Sequence, residues 1–484
     1  MKKKILALLC CAIAALFLFA GCGGNGNTGG GSGSNWWSTS GTLEKDESGN
    51  VQFNNVEIKL STVVNGEDKD PFNRIVAQFN AQYRGKINVV VTNIAESIYE
   101  STVGQQIAYD LNAPDLLMSH EKGHRFFVQD RLIQPFDEIM EASGIVFDMD
   151  DYADGLSQYS SMGYGDSLFS IPIDAQSMVV YYNRKILEKY ADSFPTDRAG
   201  LISLLEKIAA GENMTPIAWS TKLGFFAQYL FATAIVQNGG YVNNPDTDDY
   251  LADWSSDPEN NAAFKKAIAS IRELIHHSPH SLATVGQSEA DALNSFLTGN
   301  AFIYVSLPWF VDSICEGFAQ LNGGLDPEVV KEEYIGAASL ANWFTDENNE
   351  NSVKIFGDSH FFAMSATVTD INKKAAICEF IRWFTQTGSV GAAWADAGHM
   401  TGSKIISESA EYQENESVAN YISKFYSGIN NFECVGITPF YENINDALAD
   451  IVLNTLEQAD DSRDDAVIKK AQDDYNAIVS FVSM

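Results

Sequence analysis

The chain has 484 residues, of which 45% are hydrophobic, and a formal net charge of −33. A surface this acidic excludes nucleic acid and anionic lipid as general partners, because both carry negative charge. The apolar content is ample for a large core, and a chain of this length exceeds the usual size of a single core, so we expect two lobes.

The first 21 residues have the layout of a secretory signal peptide. Lys2, Lys3 and Lys4 precede an apolar run over residues 5–20. That run is shorter than the roughly 20 apolar residues that a membrane-spanning helix needs. We therefore predict an exported protein with a signal peptide over residues 1–21. Removal of the signal deletes three lysines and no acid, which takes the net charge from −33 to −36.

A Gly/Ser/Asn tract, GGNGNTGGGSGS, follows Cys22. Such a composition buries nothing and is typical of a flexible linker, so we predict a tether over residues 22–52. A cysteine between a signal peptide and a tether resembles a bacterial lipoprotein processing site, although Phe19 stands where Leu, Val or Ile is usual. This resemblance implies that Cys22 is lipidated and anchors the protein to the outer face of the cytoplasmic membrane.

Strand and helix patterns then alternate. Residues 56–64 alternate and are rich in β-branched side chains, and the short runs at 87–91 and 115–119 are mainly apolar, which predicts three strands. Between the first two, Asp70 and Pro71 mark the start of a helix. This order predicts right-handed crossovers and a mainly parallel sheet, with ligands at the carboxyl ends of its strands.

The loop after the third strand contains HEKGH, residues 120–124, which matches the zinc-protease pattern H-E-x-x-H. In that pattern both histidines lie on one face of a formed helix. Here we expect His120 at a strand end and His124 in a first helical turn, so that face is not formed. Catalytic zinc also needs a third protein ligand, and nothing connects the histidines of residues 276–280 with His120. We therefore predict no metal site and no cofactor, and keep a secreted zinc hydrolase using His120, Glu121 and His124 as the alternative.

Three cysteines lie beyond Cys22, namely Cys315, Cys378 and Cys434. An odd number excludes a disulfide framework but leaves one pair open. The absence of internal repeats disfavours a third class of function, that of a surface scaffold without a small ligand.

Ordered sequence segments over nearly the whole mature chain resemble one known family. The most specific is SLFSIPIDAQSMVVYYNRKIL at 167–187, which is similar to the first hinge strand of that family and its Tyr-Asn-Lys turn. FLTGNAFIYVSLPWF at 296–310 and FFAMSATVTDINKKAAICEFIRWFTQ at 361–386 follow in the same order. The family is that of extracellular solute-binding proteins of ABC importers, in the branch of maltose- and oligosaccharide-binding proteins.

The resemblance implies an α/β fold of the type II periplasmic-binding-protein class, with two lobes of mainly parallel sheets flanked by helices and a ligand cleft between them. It places lobe one at 53–173 with 360–400, and lobe two at 174–359 with 401–484. It also implies hinges near 172–176 and 359–363. The expected function is the capture of a mono- or oligosaccharide by a monomer for an ABC permease, without catalysis.

The resemblance further implies which residues line the cleft. Trp309 matches the Pro-Trp motif of the family, and Tyr229 stands where a second aromatic is expected. Aromatic faces suit the C–H face of a sugar, and carboxylates and amides fix its hydroxyls. The polar candidates are Asn65, Glu67, Asp68, His120, Glu121, Lys122, Asp174 and Gln176, with His399, Met400 and Trp219 as further ones. Core packing is the alternative for Tyr229 and Trp309, and solvated loop charge is the alternative for Glu67 and Asp68.

Overall fold

Two mixed sheets, each with its own hydrophobic core, organise the protein. The structure is a computed structural model and describes residues 36–157, 160, 167–244, 250–426, 431–434 and 440–482. The members of the first core come from residues 58–173 and 362–397, and most members of the second core come from residues 175–356 and 400–479. Residues 37–484 form one compact unit.

The strands of the first sheet are β1 (Val56–Thr62), β2 (Ile87–Asn93), β3 (Leu116–His120), β4 (Ile133–Gln134), β5 (Ile171–Pro172) and β12 (His360–Ser365). Their order is β2–β1–β3–β12–β4, and β5 also pairs with β12. The three predicted strands are confirmed as β1, β2 and β3, which are parallel. The later strand β12 is antiparallel to β3, so it carries distant residues into the middle of this sheet.

The second sheet has the order β10–β7–β9–β8. Its strands are β7 (Val179–Asn183), β8 (Ile217–Ala218), β9 (Ile303–Ser306) and β10 (Ile335–Ala338). Only β8 and β9 are parallel here, because β7 runs antiparallel to both of its neighbours. Two short pairs join β6 (Asp174–Ala175) to β13 (Met400–Thr401) and β11 (Ile355–Gly357) to β14 (Phe432–Cys434).

Helices surround both sheets. The helix Lys69–Gln82 shows how the sequence sets them, since its buried residues are Phe72, Ile75, Val76 and Phe79, one face at helical spacing. It begins one residue before Asp70, so Asp70 is not its cap. The other α-helices are Tyr99–Ala108, His124–Gln129, Asp137–Ser143, Asp154–Ser157, Arg184–Leu187, Arg198–Glu212, Ala232–Gln237, Pro258–His276, Glu289–Leu297, Val311–Leu321, Pro327–Glu333, Ile371–Gln386, Gly388–Ala395, Lys404–Ser407, Ala410–Gln413, Ser423–Phe425, Tyr441–Thr455 and Asp464–Val482.

Shorter helical turns complete the described residues. The 3₁₀ turns are Glu96–Ile98, Glu121–Gly123, Met149–Asp151 and Pro308–Phe310, and the π-helical turns are Phe226–Phe231 and Val418–Ile422. None of the helices among the described residues is long and apolar enough to cross a membrane.

Three segments pass between the two cores side by side, and we call them the crossover segments: 171–176, 357–361 and 398–402. Pro172 pairs with Phe361, and Gln176 and Asp358 exchange both backbone hydrogen bonds. The third segment joins through the β6–β13 pair. Gly357 packs so closely on the carbonyl of Gln176 that a Cβ there would clash with it. Backbone hydrogen bonds therefore join the three crossover segments where the chain passes between the cores.

The C-terminal part of the predicted tether is packed on the first core rather than free. Lys374 is 3% exposed and donates to the carbonyl of Ser38, and the backbone of Ser40 bonds to Thr369. Leu43 and Val51 pack on the same core. The flexible linker is therefore shorter than 22–52 at its C-terminal end, because the sequence places these apolar side chains after the Gly-rich tract.

Cys315 and Cys378 are both free and buried, the first in the second core and the second in the first core. Burial raises the pKa of the Cys315 thiol to about 12, so this thiol stays protonated and unreactive. The side chain of Cys434 lies outside what the structure describes, and so do residues 1–35 with Cys22.

Candidate functional site: a cleft wall over a buried polar cluster

A group of polar side chains gathers where the crossover segments meet the carboxyl end of β3. We call it the crossover cluster, and its members are Asp68, His120, Asp174, Gln176, Asp358, His360 and His399. All but Asp68 are buried. Four of them, Asp68, His120, Asp174 and Gln176, were predicted as ligand residues from the sequence, and His399 was a further cleft candidate.

Asp174 lies at the centre of the crossover cluster and is 0% exposed. Its Oδ1 accepts from the backbone N–H of His360 at 2.9 Å, and its Oδ2 accepts from Nε1 of Trp394 at 2.7 Å. Nδ1 of His360 lies 2.9 Å from the same Oδ2. Burial alone would raise the pKa of Asp174, but His360 and His399 hold it well below its usual value. Asp174 is thus a buried anion that faces the cluster.

His399 is enclosed by two rings and two carboxylates. Its ring is stacked on Trp394 with centroids 4.1 Å apart, and Trp309 lies stacked on the other side at 5.7 Å. Nδ1 of His399 is 3.3 Å from Oδ2 of Asp174, and Nε2 is 3.3 Å from Oδ2 of Asp68. Burial would lower the pKa of His399, yet Asp174 and Asp68 together raise it to about 9.

His120 closes the other side of the crossover cluster. It stands directly opposite His360 in the β3–β12 pair, and the two ring centroids are 4.5 Å apart. Nδ1 of His120 is 3.2 Å from Oδ2 of Asp358 and 3.2 Å from Nε2 of Gln176. The end of the third strand is therefore bound to two of the crossover segments.

Trp309 forms the boundary between the second core and the first. It lies in the turn Pro308–Phe310 after β9 and is half-buried. A Cβ at Gly398 would lie 2.6 Å from the backbone nitrogen of Trp309, and Gly398 has φ +93°. Only glycine tolerates both conditions, so this residue lets the Trp309 turn lie directly on the crossover cluster.

The loop between β1 and the helix Lys69–Gln82 faces the same region. Asn65 and Glu67 are exposed there, and Asp68 is half-buried against His399. Burial raises the pKa of Glu67, and the nearby carboxylates of Asp312 and Glu316 raise it further, against a hydrogen bond with Ser313. These last three residues belong to the helix Val311–Leu321, which directly follows Trp309. Glu67 therefore lies close to the helix that follows Trp309.

The remaining predicted residues are buried outside the crossover cluster, or their side chains are not described by the structure. Tyr229 is 2% exposed, belongs to the second core and stacks on Phe225. Trp219 is 0% exposed and donates to the carbonyl of Thr284. Glu121 is 5% exposed, and its backbone N–H bonds to the carbonyl of Ser359. The side chain of Lys122 is outside what the structure describes.

The HEKGH histidines do not share a helical face. His120 ends β3, and His124 begins the helix His124–Gln129 after the 3₁₀ turn, as predicted. His124 is 1% exposed and packs edge-on against Phe361, with ring centroids 5.4 Å apart. Burial lowers its pKa to about 4, so it is a neutral ring in an apolar setting. The geometry gives no support to a zinc hydrolase built on His120, Glu121 and His124.

We expect His124→Ala to leave the metal content of the purified protein unchanged, because its ring lies against Phe361 and apart from His120. Elemental analysis after dialysis against micromolar Zn²⁺ checks this. Loss of one equivalent of zinc in His124→Ala would show that HEKGH is a metal site after all.

Sequence reasoning did not single out Asp358, His360 or Trp394 for the site. His360 lies within the predicted hinge 359–363 and Asp358 directly before it, and that position is the only signal that could have found them. Trp394 lies in an apolar helix, where a tryptophan is expected to be an ordinary core residue. Its pairing with Asp174 joins residues 220 positions apart, which no local pattern reveals.

Two sheets joined by three crossover segments, with a half-buried tryptophan and carboxylates at their boundary, define a two-lobed binding protein. The family comparison agrees. The model of the bacterial extracellular solute-binding protein family matches residues 74–420, which is more than half of the chain. The protein belongs to that family.

Solved structures of similar fold cover nearly the whole chain. The GacH receptor of Streptomyces glaucescens, described unliganded and in complex with acarbose, is 13% identical with TM-score 0.63, covering 88% of this chain and 99% of its own. The cyclic alpha-maltosyl-1,6-maltose binding protein from Arthrobacter globiformis is 17% identical with TM-score 0.65 and the same coverages. The sugar-binding protein MalE from Xanthomonas citri is 15% identical with TM-score 0.65, covering 88% and 98%. At these identities the matches establish the fold. No curated protein sequence matches the chain.

Proposed function

We propose that the protein captures a carbohydrate between two lobes and delivers it to the permease of an ABC importer, without catalysis. The observation that carries this proposal is the half-buried Trp309, which stacks on His399 next to Asp68 and is followed by a helix that lies close to Glu67. An indole face matches the C–H face of a sugar ring, and carboxylates accept hydrogen bonds from its hydroxyls. The sugar ligands named for the structurally similar proteins favour the same ligand class for this chain.

The lobes we propose are 53–173 with 360–400, and 174–359 with 401–484. In this account the crossover segments are the hinges, and the lobes close on the ligand by rotation about them. Ligand favours closure only if it contacts both lobes at once. Trp309 follows a strand of the second sheet, and Asn65, Glu67 and Asp68 follow a strand of the first, so one sugar between them meets this condition.

The ten predicted ligand residues have two roles in this proposal. Trp309, Asn65, Glu67 and Asp68 are the direct contacts, because each keeps some exposure in the structure. His120, Glu121, Asp174, Gln176 and Tyr229 are buried and support the wall, with direct contact to a ligand only in a more open form. Lys122 remains a predicted contact from the first lobe.

The experiment is a thermal-shift screen of the mature protein against mono- and oligosaccharides, followed by calorimetry on the best one. A ligand at concentration c that binds only the folded state stabilises it by RT ln(1 + c/Kd), so the melting temperature rises with the logarithm of the ligand concentration once that concentration exceeds Kd. Stabilisation by a sugar supports the proposal. Stabilisation by peptides or amino acids, with none by sugars, would replace the ligand class, and the absence of any small ligand would favour the surface-scaffold alternative.

We further propose that Cys22 is lipidated and holds the protein on the outer face of the cytoplasmic membrane. Cys22→Ser removes the thiol that the lipid is attached to, so we expect the variant in the soluble fraction while the parent protein sediments with membranes. Cys315→Ser is the matched control, because that thiol is buried in the second core. Equal membrane association of Cys22→Ser and the parent protein would refute the anchor.

A further inference from the structure

Each crossover segment contributes one potential metal ligand to the same buried point. Asp174 comes from the first segment, His360 from the second and His399 from the third. One ligand atom from each lies within 4.8 Å of the other two, and all three residues are at most 3% exposed. Among the described residues, this is the group that brings histidine nitrogens and a carboxylate oxygen this close together.

We propose that Asp174, His360 and His399 bind one divalent transition metal ion, with Zn²⁺ the best match. Two imidazole nitrogens and one carboxylate oxygen are a characteristic zinc ligand set, and water completes a tetrahedral shell. None of the three ligands belongs to HEKGH, and Asp68 borders both this site and the proposed sugar contacts. The three ligands are at most 3% exposed, and the ring of His399 stacks with Trp309 and Trp394.

The two distances from Asp174 to the histidines are close to those around such an ion. In a tetrahedral site with bonds of about 2.0–2.1 Å, neighbouring ligand atoms are roughly 3.3 Å apart. Oδ2 of Asp174 lies 2.9 Å from Nδ1 of His360 and 3.3 Å from Nδ1 of His399. The second pair has the spacing of a shared metal without the alignment of a hydrogen bond, since the buried Nδ1 of His399 forms none in the structure.

The surrounding groups are those that usually orient metal ligands. A ligating histidine commonly donates its other ring N–H to a carboxylate, and Nε2 of His399 faces Oδ2 of Asp68 at 3.3 Å. A ligating carboxylate is itself commonly hydrogen-bonded, and Asp174 accepts from Nε1 of Trp394 and from the backbone of His360. With these contacts in place, Nδ1 of His360 and Nδ1 of His399 both face Asp174.

The charge balance also favours a cation. Asp174 is fully buried and Asp68 is partly buried, with side chains 0% and 14% exposed. Buried anions require compensation, and a divalent cation between neutral histidines balances both carboxylates. Metal binding would therefore fasten the three crossover segments to one centre.

The test uses the mature full-length chain, stripped with a chelator and titrated with Zn²⁺ by calorimetry, with elemental analysis after dialysis. We expect one equivalent per chain. His360→Gln and His399→Gln, which keep hydrogen-bonding capacity, should each weaken Zn²⁺ binding by at least about tenfold, and Asp68→Asn by about 10- to 100-fold. His124→Ala and the double variant His276→Ala/His277→Ala are the controls and should bind zinc as the parent does.

Loading the metal-free parent protein with Co²⁺ in place of Zn²⁺ gives an absorption spectrum, and this readout does not depend on any variant folding. A tetrahedral nitrogen- and oxygen-bound cobalt spectrum supports the site. Absence of stoichiometric zinc in the parent protein, or equal binding in both glutamine variants, would overturn the proposal and leave the cluster as an ion-pair network only. Because the readout is metal rather than sugar, failure here leaves the carbohydrate proposal untouched, and the reverse also holds.

Discussion

Trp309→Ala is expected to lower the affinity for the sugar identified by the screen by roughly thirtyfold or more, measured by calorimetry. Losing a central aromatic contact typically costs about 2 kcal/mol or more of binding free energy, which corresponds to that factor. The fold should survive, since Trp309 is only half-buried and borders the second core rather than filling it. Circular dichroism and the unfolding midpoint check this.

Two variants make the Trp309 result specific. Trp309→Phe keeps an aromatic face of smaller area and should lose less affinity than the alanine variant. Tyr109→Ala removes an aromatic side chain that is 63% exposed at the end of the helix Tyr99–Ala108, and it should bind like the parent. Unchanged affinity in Trp309→Ala would mean that the platform lies elsewhere, and global unfolding would mean that the indole is a core residue.

Asp174→Asn is expected to lower the free energy of unfolding by about 3–5 kcal/mol. Breaking a buried charged pair by removing one partner typically costs this much, because the other partners remain buried and unpaired. Here the new amide would turn an N–H toward donors from Trp394 and His360 and leave His399 without one of its two carboxylates. Denaturant unfolding monitored by fluorescence measures the effect.

The control for this variant is Asp465→Asn. The side chain of Asp465 is 70% exposed and pairs with Lys265 at the surface, and surface pairs contribute at most about 1 kcal/mol. A loss in Asp174→Asn no larger than in Asp465→Asn would show that the carboxylate is not needed to hold the crossover segments together.

Local sequence patterns predicted the parts of the fold that local physics decides. The period of two in β1 and the apolar face of the helix Lys69–Gln82 reflect burial by near neighbours, and both are present as expected. The position of His120 at a strand end and of His124 in a first turn also followed from local signals. Those positions disfavour a zinc protease built on HEKGH, which the sequence left as the alternative function.

Long-range pairing is what the sequence could not show. The strand β12 enters the first sheet from 240 positions after β3 and places His360 opposite His120. The three crossover segments are separated by long stretches of chain, so no spacing rule joins Asp174, His360 and His399. The tether prediction erred for a related reason, since residues 37–52 have linker-like composition but find a partner surface on the first core.

The most direct test of the central claim is solution scattering with and without the sugar that the screen identifies. A carbohydrate held between two lobes should lower the radius of gyration of the parent protein at saturation, and Trp309→Ala at the same sugar concentration should show little of that change. A sugar that binds the parent protein with a calorimetric 1:1 stoichiometry yet leaves its radius of gyration unchanged would contradict capture by closure between two lobes.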